Sequence, residues 1–470
     1  MQSRRDQLQA YRFLNRRALA ALVAGEPDAP EPPMRRLSLT TITGIMVAIL
    51  VAAGFAAYGL IKPGSSTKLS TGTIYIERET GARFVLIDNT LHPTLNYTSA
   101  VLAAITGDQQ GKVAVKTVGA STLAHKPHGS TIGIDGIPDS LPRNTNRLVR
   151  SPWTVCSQVV PQQTDNNVAR VTVSVGDSAQ STALPQAEDG VVVTTPSSLQ
   201  PYLLWHGERL QITSPVISRT LNLQTGQPLI VGTAFLNALP QGPALTVPSV
   251  PSAGTPVRTV PNTPTYVGQL IQITETGSYL LVLPDGVVPV RPIEAALLQT
   301  LPLAGERRSP VPVRRNIALG LPASASGAKV LQQFATLPGG GLPHVPDAPA
   351  QAGGVCVQFR ENAPLVLATP PGTAPVNGTS VDDSAQSKRG LADDVRVPAE
   401  KAALVRPDSS SATRFVIAAP GRKFAASTPA LGGLGYDAET PVTLPEQLLL
   451  LIPTGPALDA ATARLPVAGS

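Results

Sequence analysis

One glycine-rich segment comes close to a nucleotide-binding loop. Residues 107–113 read Gly-Asp-Gln-Gln-Gly-Lys-Val. A phosphate-binding loop has four residues between its glycines, so that backbone amides cradle the phosphates, and a Ser or Thr after the lysine to bind Mg²⁺. Here three residues separate Gly107 from Gly111, and Val113 follows Lys112. We interpret the segment as a polar turn and expect no ATP hydrolysis.

The histidines form no metal-binding or catalytic pattern. Only His125 and His128 of the five are close together, and no cysteine or acidic residue beside them completes a structural zinc set. Neither a Gly-x-Ser-x-Gly elbow nor a His-Glu-x-x-His helix occurs in the chain. We predict no catalytic residue, no metal site and no cofactor. The sequence leaves open a Ser–His–Asp triad assembled by the fold.

The composition excludes three classes of protein. Of the 470 residues, 47 are proline, and they recur from Pro27 to Pro466, which excludes a coiled coil. A charged fraction of 14% with 42% hydrophobic residues excludes disorder driven by charge. The net charge is +6, but seven arginines facing four acidic residues in residues 1–37 supply half of it. The remainder has no dense basic face with interleaved aromatics, so we expect no nucleic-acid binding.

One apolar segment predicts a membrane anchor. Residues 37–61 carry no charge, and 25 residues of helix are longer than a hydrocarbon core of about 30 Å is thick. The segment is too long and begins too far from the N-terminus for a cleaved signal peptide. Arg35 and Arg36 flank its N-terminal end. By the positive-inside rule, we predict a single-pass cell-membrane protein with a cytoplasmic N-terminus and residues 62–470 outside the membrane.

The segment before the anchor has the pattern of an amphipathic helix. Leu8, Tyr11, Ala18 and Leu22 recur at helical spacing, with arginines on the polar side. Anionic lipid would attract the arginines alone, whereas aromatic side chains suit a protein groove. We therefore predict that this cytoplasmic tail docks on a partner, and the lipid contact is the alternative. The predicted docking residues are Tyr11, Arg12, Phe13, Arg16 and Arg17.

The only two cysteines, Cys156 and Cys356, both fall in the part predicted to lie outside. Because an exported pair meets an oxidising environment and has no other partner, we predict a disulfide bond between them. The chain would then leave a central module, build two further units and return to complete that module.

One pattern recurs along the exported part: an apolar strand, a Gly-containing turn, a second strand and a short apolar helix. The clearest copy lies in residues 279–298, and an earlier one in residues 73–105. Two further copies match at a constant offset of 213, which indicates internal duplication. That offset aligns residues 240–245 with 453–458, Arg209 with Arg422, Leu221 with Leu434, and Phe235, Leu236 and Leu239 with Leu448, Leu449 and Ile452. Residues 246–265, 338–354 and 362–413 are predicted to be linkers or extended crossings.

Short motifs in a fixed order give the chain a family resemblance. It resembles EccB, the single-pass membrane component of actinobacterial type VII (ESX) secretion systems, from end to end. The resemblance implies an α+β fold, with one N-terminal transmembrane helix and an elongated ectodomain of four small α+β repeats around a central β-rich domain. The motifs are Gln9-Ala10-Tyr11-Arg12-Phe13-Leu14 with Arg16-Arg17, Leu91-His92-Pro93-Thr94-Leu95-Asn96, Trp153-Thr154-Val155-Cys156, Gly353-Gly354-Val355-Cys356 and Leu451-Ile452-Pro453-Thr454-Gly455-Pro456-Ala457-Leu458.

The predicted organisation follows from the repeats and the resemblance. The segments in chain order are a cytoplasmic tail (1–36), a transmembrane helix (37–61), repeat 1 (73–120), the first part of the central domain (121–195), repeat 2 (196–250), repeat 3 (266–310), the second part of the central domain with a low-complexity linker (311–413) and repeat 4 (414–470).

Three functions from different classes remain open. The favoured one is a structural subunit of an oligomeric type VII secretion complex, and the resemblance implies an EccC-type motor ATPase and EccD-type and EccE-type membrane subunits as partners. The second is a module that binds peptidoglycan, which a pulldown with cell-wall sacculi would detect. The third is an ATP hydrolase, as some family members have been labelled, which a nucleotide-binding assay on residues 62–470 would detect.

Overall fold

The computed structural model describes most of the chain and divides it into two units, Met1–Leu69 and Ser70–Ser470. The first unit contains two helices, α1 (Arg4–Ala24) and α2 (Arg35–Ile61). The second unit is a mixed α+β structure with several β-sheets, as the sequence predicted. The described residues are 4–25, 35–61, 68–106, 113–143, 145–160, 168–176, 182–183, 188–196, 198–224, 228–345, 354–360, 363–369, 390–409 and 411–467.

Four sheets of the second unit share one strand order. In each, the first three strands are antiparallel neighbours, and the fourth returns parallel to the first on its other side. The first sheet has β1 (Thr73–Glu77), β2 (Arg83–Ile87), β3 (Thr90–Pro93) and β4 (Ala114–Val118), and the second has β8 (Val191–Thr195), β9 (Ser198–Trp205), β10 (Glu208–Gln211) and β11 (Leu229–Ile230). The third has β14 (Leu270–Ile273), β15 (Tyr279–Leu283), β16 (Gly286–Val290) and β17 (Val311–Val313), and the fourth has β21 (Ala402–Pro407), β22 (Arg414–Ala418), β23 (Arg422–Ala426) and β24 (Val442–Leu444).

A six-stranded central sheet combines strands from two distant parts of the chain, in the order β20-β6-β5-β18-β19-β7. The chain leaves this sheet after β7, builds the second and third sheets, and returns in β18. Its strands are β5 (Trp153–Val160), β6 (Val168–Val175), β7 (Thr182–Ala183), β18 (Gly354–Arg360), β19 (Ala363–Thr369) and β20 (Asp394–Arg396).

Short helices connect the strands, and several of them begin at a polar cap or a proline. In each of the four sheets one helix lies between the third and fourth strands. Asn96, Ser214 and Ser427 cap three of these helices by accepting a hydrogen bond from a first-turn backbone N–H. The helices of this unit are α3 (Tyr97–Ala103), α4 (Ala120–Leu123), α5 (Pro215–Thr220), α6 (Thr233–Ala238), α7 (Pro292–Leu298), α8 (Arg315–Ala318), α9 (Gly327–Leu331), α10 (Thr428–Leu434), α11 (Glu446–Leu450) and α12 (Ala460–Ala463).

The sheets divide the chain differently from the predicted boundaries. The boundaries after residues 195 and 413 separate β8 from β9 and β21 from β22, although each pair belongs to one sheet, and the boundary after residue 310 separates β17 from β14–β16. In the second and fourth sheets the predicted repeats begin at the second strand and leave the first strand, β8 or β21, in the preceding segment. We propose that repeats 2 and 4 each begin with their first strand, at Val191 and Ala402.

Two predicted linkers contain ordered strands. Within residues 246–265 lies most of a hairpin formed by β12 (Pro256–Val260) and β13 (Thr263–Tyr266), where Thr265 is fully buried and its hydroxyl donates to the carbonyl of Val257. Residues 362–413 contain β19, β20 and β21. The linker prediction was wrong at these positions, because apolar and β-branched residues between prolines form strands where a neighbouring strand pairs with them.

The 213-residue offset holds for the helices but not for one strand pair. The α6 and α11 positions aligned by the offset are all buried. The turn after β22 is one residue longer than the turn after β9, because Glu208 pairs with Trp205 whereas Arg422 pairs with Ala418. Arg209 therefore corresponds to Lys423, and its predicted match with Arg422 was wrong.

The hydrophobic cores join the sheets in pairs. One core is built from the first and fourth sheets, with α3 packed against α10 and α12. A second core is built from the second and third sheets, with α5 packed against α7. A third core lies on the central sheet and includes α6 and α11, which contact each other there. The central sheet thus binds one helix from each sheet pair.

The packing of the central core predicts that substitutions at two residues of these helices have very different effects on stability. Phe235 of α6 is fully buried, so Phe235→Ala should lower the free energy of unfolding by about 3–5 kcal/mol. Leu450 of α11 is 61% exposed, and Leu450→Ala should change it by at most about 0.5 kcal/mol. Urea unfolding followed by the fluorescence of the buried Trp153 and Trp205 measures both. Equal losses would contradict the packing of α6 on the central sheet.

One surface carboxylate fastens the segment that follows the third sheet. Asp285, in the turn between β15 and β16, accepts hydrogen bonds from Ser324 Oγ at 2.6 Å, the backbone N–H of Ser326 at 2.9 Å and Ser326 Oγ at 2.9 Å. These bonds, the one from Ser324 first, lower the pKa of Asp285 from 3.8 to about 2. The carboxylate therefore stabilises the fold above pH 4, and the contribution is lost as the pH falls towards 2.

Asp285→Asn should remove the part of the pH dependence of stability that this carboxylate causes. We expect the thermal midpoint of the wild type to fall more steeply than that of Asp285→Asn between pH 4 and pH 2. Asp437→Asn, at an exposed position after α10, is the control and should follow the wild type. Parallel curves for the wild type and Asp285→Asn would contradict the role of these hydrogen bonds.

Candidate functional site

The predicted docking residues lie on α1 and are exposed. Tyr11 is 69% exposed and Phe13 is 61% exposed. Residues two apart on a helix do not face the same way, so these two rings project from different sides. Residues 11–13, predicted from the sequence to be one docking element, are separated by the helix into two surfaces.

The two surfaces of α1 differ in chemistry. Tyr11 belongs to an apolar stripe with Leu8 and Leu14, each three residues from it and more than half exposed. Phe13 lies on the side of the arginines, where the guanidinium carbon of Arg17 is 5.9 Å from the ring centroid. A partner that contacted both surfaces would have to wrap around the helix.

The helix α2 has the length and composition of a membrane span. Leu39–Tyr58, 20 residues with a mean hydropathy of 2.1, is not buried against any other described part of the chain. Twenty such residues match the thickness of a hydrocarbon core. The single-pass character predicted from the sequence is consistent with this one span among the described residues.

The two cysteines are bonded in the middle of the central sheet. Cys156 of β5 and Cys356 of β18 are directly opposite each other on antiparallel neighbours, with 4.0 Å between their Cα atoms. Both are buried. The bond joins residues 200 apart in sequence, and the same ladder sets Trp153 opposite Phe359.

A hydroxyl of the same ladder positions α6. Ser157, next to Cys156, is fully buried, and its Oγ accepts a hydrogen bond from the backbone N–H of Gly232 at 3.0 Å. Gly232 is the residue before α6 and packs so closely on β6 that an added Cβ would lie 2.4 Å from Val171. The disulfide strand and the helix that covers it are therefore fixed together.

Of the two neighbouring histidines singled out in the sequence, His125 is exposed in a turn and His128 contacts an aromatic ring. His128 packs edge-on against Phe84, with 5.6 Å between ring centroids. Within the described residues no group of three or more His, Cys, Asp or Glu side chains has the geometry of a metal site. Residues 107–112, which hold all but the last residue of the near phosphate-binding loop, lie outside the described residues.

Two histidine–carboxylate pairs were not predicted from the sequence. His344 Nδ1 lies 2.7 Å from Asp189 Oδ1, and His206 Nε2 lies 3.1 Å from Glu188 Oε2. Backbone hydrogen bonds from His344 to Glu188 and from Gly190 to His344 join the same segments. They fasten the chain returning from the third sheet to the start of the second. No local spacing signals a pair whose members are 155 residues apart.

Comparison with known proteins identifies the family. The family model described as "Type VII secretion system ESX-1, transport TM domain B" matches residues 1–468. The chain belongs to the EccB family. The resemblance inferred from the short motifs is thereby confirmed over nearly the whole chain.

Relatives of this EccB chain occur in several secretion systems of mycobacteria. The "ESX-3 secretion system ATPase EccB3" of Mycobacterium tuberculosis is 30% identical over 311 residues, which cover 63% of this chain and 56% of the relative. The "ESX-5 secretion system ATPase EccB5" of the same organism is 31% identical over 316 residues, which cover 65% and 60%. The matched part thus spans less than two thirds of the length of these relatives.

Solved structures share the fold. A chain of the intact ESX-5 inner membrane complex aligns with a TM-score of 0.65 and 26% identity, over 100% of this chain and 96% of that one. The EccB3 dimer from the ESX-3 core complex aligns with a TM-score of 0.65 and 22% identity, over 84% of this chain and 100% of that one. The first likeness spans both units, and the second supports the fold alone.

The disulfide in this EccB chain predicts a large effect of its removal. The double variant Cys156→Ser with Cys356→Ser should unfold with a free energy about 2–5 kcal/mol lower, because the bond closes a loop of 200 residues. Urea unfolding measures the loss, and reduced wild type is the control that should match the variant. A digest without reductant should contain one linked peptide pair. Two alkylatable thiols in unreduced, unfolded protein would contradict the bond.

Proposed function

We propose that this protein is a structural subunit of a type VII (ESX) secretion complex in the cell membrane. One observation carries the proposal: the whole chain, anchor and exported unit together, aligns with a chain of the intact ESX-5 inner membrane complex. The family match over residues 1–468 supports the same assignment. Such a subunit anchors and organises the assembly through surfaces rather than through a reaction.

The proposed orientation has α1 in the cytoplasm and residues 62–470 outside. The arginines of α1 and those at the start of α2 support it by the positive-inside rule, and the buried disulfide suits an oxidising compartment. In this orientation α1 faces the cytoplasmic components of the assembly. We propose an EccC-type motor ATPase, with EccD-type and EccE-type membrane subunits, as the partners.

Two alternative functions have less support. The curated relatives are named ATPases, but the near phosphate-binding loop of this chain has the wrong spacing and Val113 in place of a hydroxyl. Peptidoglycan binding would need an exposed polar groove on one of the four sheet units, and the cavity in the second sheet unit is small and mostly apolar.

The two surfaces of α1 can be tested separately. In the full chain, in membranes with its complex, Tyr11→Ala and Phe13→Ala should each reduce the assembled complex at least tenfold, because buried aromatic anchors carry much of an interface's binding energy. Native gels of solubilised membranes measure the complex, and carbonate extraction checks membrane insertion, which should persist. Val23→Ala, at a position 55% exposed outside the predicted docking residues, is the matched control.

The same experiment distinguishes a partner from lipid. Arg16→Gln with Arg17→Gln removes charge from the helix and leaves both rings. A complex that survives both aromatic changes but is lost with these arginines would contradict docking on a protein and indicate attraction to anionic lipid. Loss with only one of the two aromatic changes would assign docking to that side of the helix.

A further inference from the structure

An open cavity lies in the second sheet unit, outside the disulfide and the docking helix. Its volume is about 440 Å³, within the range of small ligand sites. Its floor includes Ile212 and Leu223, which are 2% and 3% exposed, and its rim includes the exposed Pro215 and Gln224. The remaining lining residues are Val192, Gln200, Pro201, Thr213, Ser214, Ser218 and Pro228.

The lining is uncharged, and much of its polarity is already used. Gln200 Nε2 donates to the carbonyl of Ile212, and Thr213 Oγ1 donates to the carbonyl of Leu245. Ser214 Oγ accepts from the first turn of α5. Within the described residues, the side chains of Ser218 and Gln224 make no hydrogen bond. The cavity therefore offers an apolar floor, two available neutral polar groups and no charge to pair with a charged ligand.

The fourth sheet unit has larger side chains at the equivalent positions. The N-caps Ser214 and Ser427 are 213 residues apart, and the turn that follows each helix has the same hydrogen bond: from the backbone N–H of Leu223 to the carbonyl of Ser218, and from Tyr436 to Leu431, each 2.8 Å. Ser218 thus corresponds to Leu431, and Leu223 corresponds to Tyr436.

Those larger side chains are enclosed in the fourth unit. Leu431 and Tyr436 are 1% and 0% exposed, and Tyr436 donates its hydroxyl hydrogen to the carbonyl of Pro142 at 2.5 Å. Burial there raises the pKa of Tyr436. In the second unit Ile217 takes the place of Ala430, but Ile217 points into the core shared with the third sheet and does not line the cavity. The second unit therefore lacks the aromatic ring that completes the fourth.

We propose that the cavity of the second sheet unit binds an uncharged aromatic side chain, of the size of tyrosine, from another polypeptide. The ring would lie on Ile212 and Leu223, and Ser218 and Gln224 would bond its hydroxyl or the neighbouring backbone. Binding of the ring does not depend on the proposed secretion function. The biological role of the cavity as a contact between subunits rests on that function.

The test uses the full chain in lipid nanodiscs and N-acetyl-tyrosine amide as the probe. We expect saturable binding by ligand-observed NMR, with a Kd on the order of 1 mM for so small a ligand. Ser218→Leu introduces the side chain that Leu431 has in the fourth unit, and it should weaken binding at least tenfold without lowering the thermal midpoint. Ser121→Leu, on the exposed side of α4, is the matched control and should bind like the wild type.

Two further probes decide the chemical class. N-acetyl-aspartate amide should bind at least tenfold more weakly than the tyrosine probe, because the lining has no cation. N-acetylglucosamine binding more tightly than the tyrosine probe, and lost in Ser218→Leu, would overturn the proposal in favour of a sugar site. No saturable binding of any probe, or binding that Ser218→Leu leaves unchanged, would also overturn it. None of these outcomes depends on whether the secretion complex assembles.

Discussion

The pairing of β5 with β18 is the constraint on which the rest of the second unit depends. These strands come from parts of the chain 200 residues apart, and Cys156 and Cys356 lock their register. A shift by one residue would move Trp153 and Phe359, both buried, to the other face of the sheet. The chain between β7 and β18 is a closed excursion from the central sheet, and the second and third sheets built in it pack with each other, as the first sheet packs with the fourth.

The central sheet also determines how the second and fourth sheet units attach. Each sends one helix onto it, and in each a basic residue on the third strand binds that helix: Arg209 donates to Asn237 Oδ1 of α6, and Lys423 donates to the carbonyl of Leu449 in α11. Burial lowers the pKa of Lys423, because the charged amine loses water. A carbonyl near the C-terminal end of a helix replaces part of that hydration, because this end carries a partial negative charge. The same arrangement thus recurs with different side chains.

The sequence alone predicted what depends on local patterns and on composition. Uncharged stretches, alternating apolar residues and prolines act over a few residues. They were enough to predict the membrane helix, the mixed fold, the strands around Pro284 and the start of α7 at Pro292. The predicted repeats left out β8 and β21 because no local pattern shows which sheet a strand joins. The hairpin β12–β13 was missed because its strands pair with each other and pack on β15 of the third sheet, which the local sequence does not show. The opposite placement of Tyr11 and Phe13 was readable from helical spacing, but the cavity required knowing that Ser218 and Leu223 meet.

A repeated fold does not give repeated surfaces. The helix after the fourth strand is buried in the second and fourth units, where Phe235 and Leu448 lie on the central sheet. Its counterparts in the first and third units, α4 and α8, bury little, and Ile317 and Leu319 at α8 are 39% and 77% exposed. Backbone topology is the same in all four, so the side chains of these short helices decide which units serve the core of this chain and which remain available to others. That division is what an assembly subunit needs, because surfaces used to hold its own sheets together cannot also bind a neighbour.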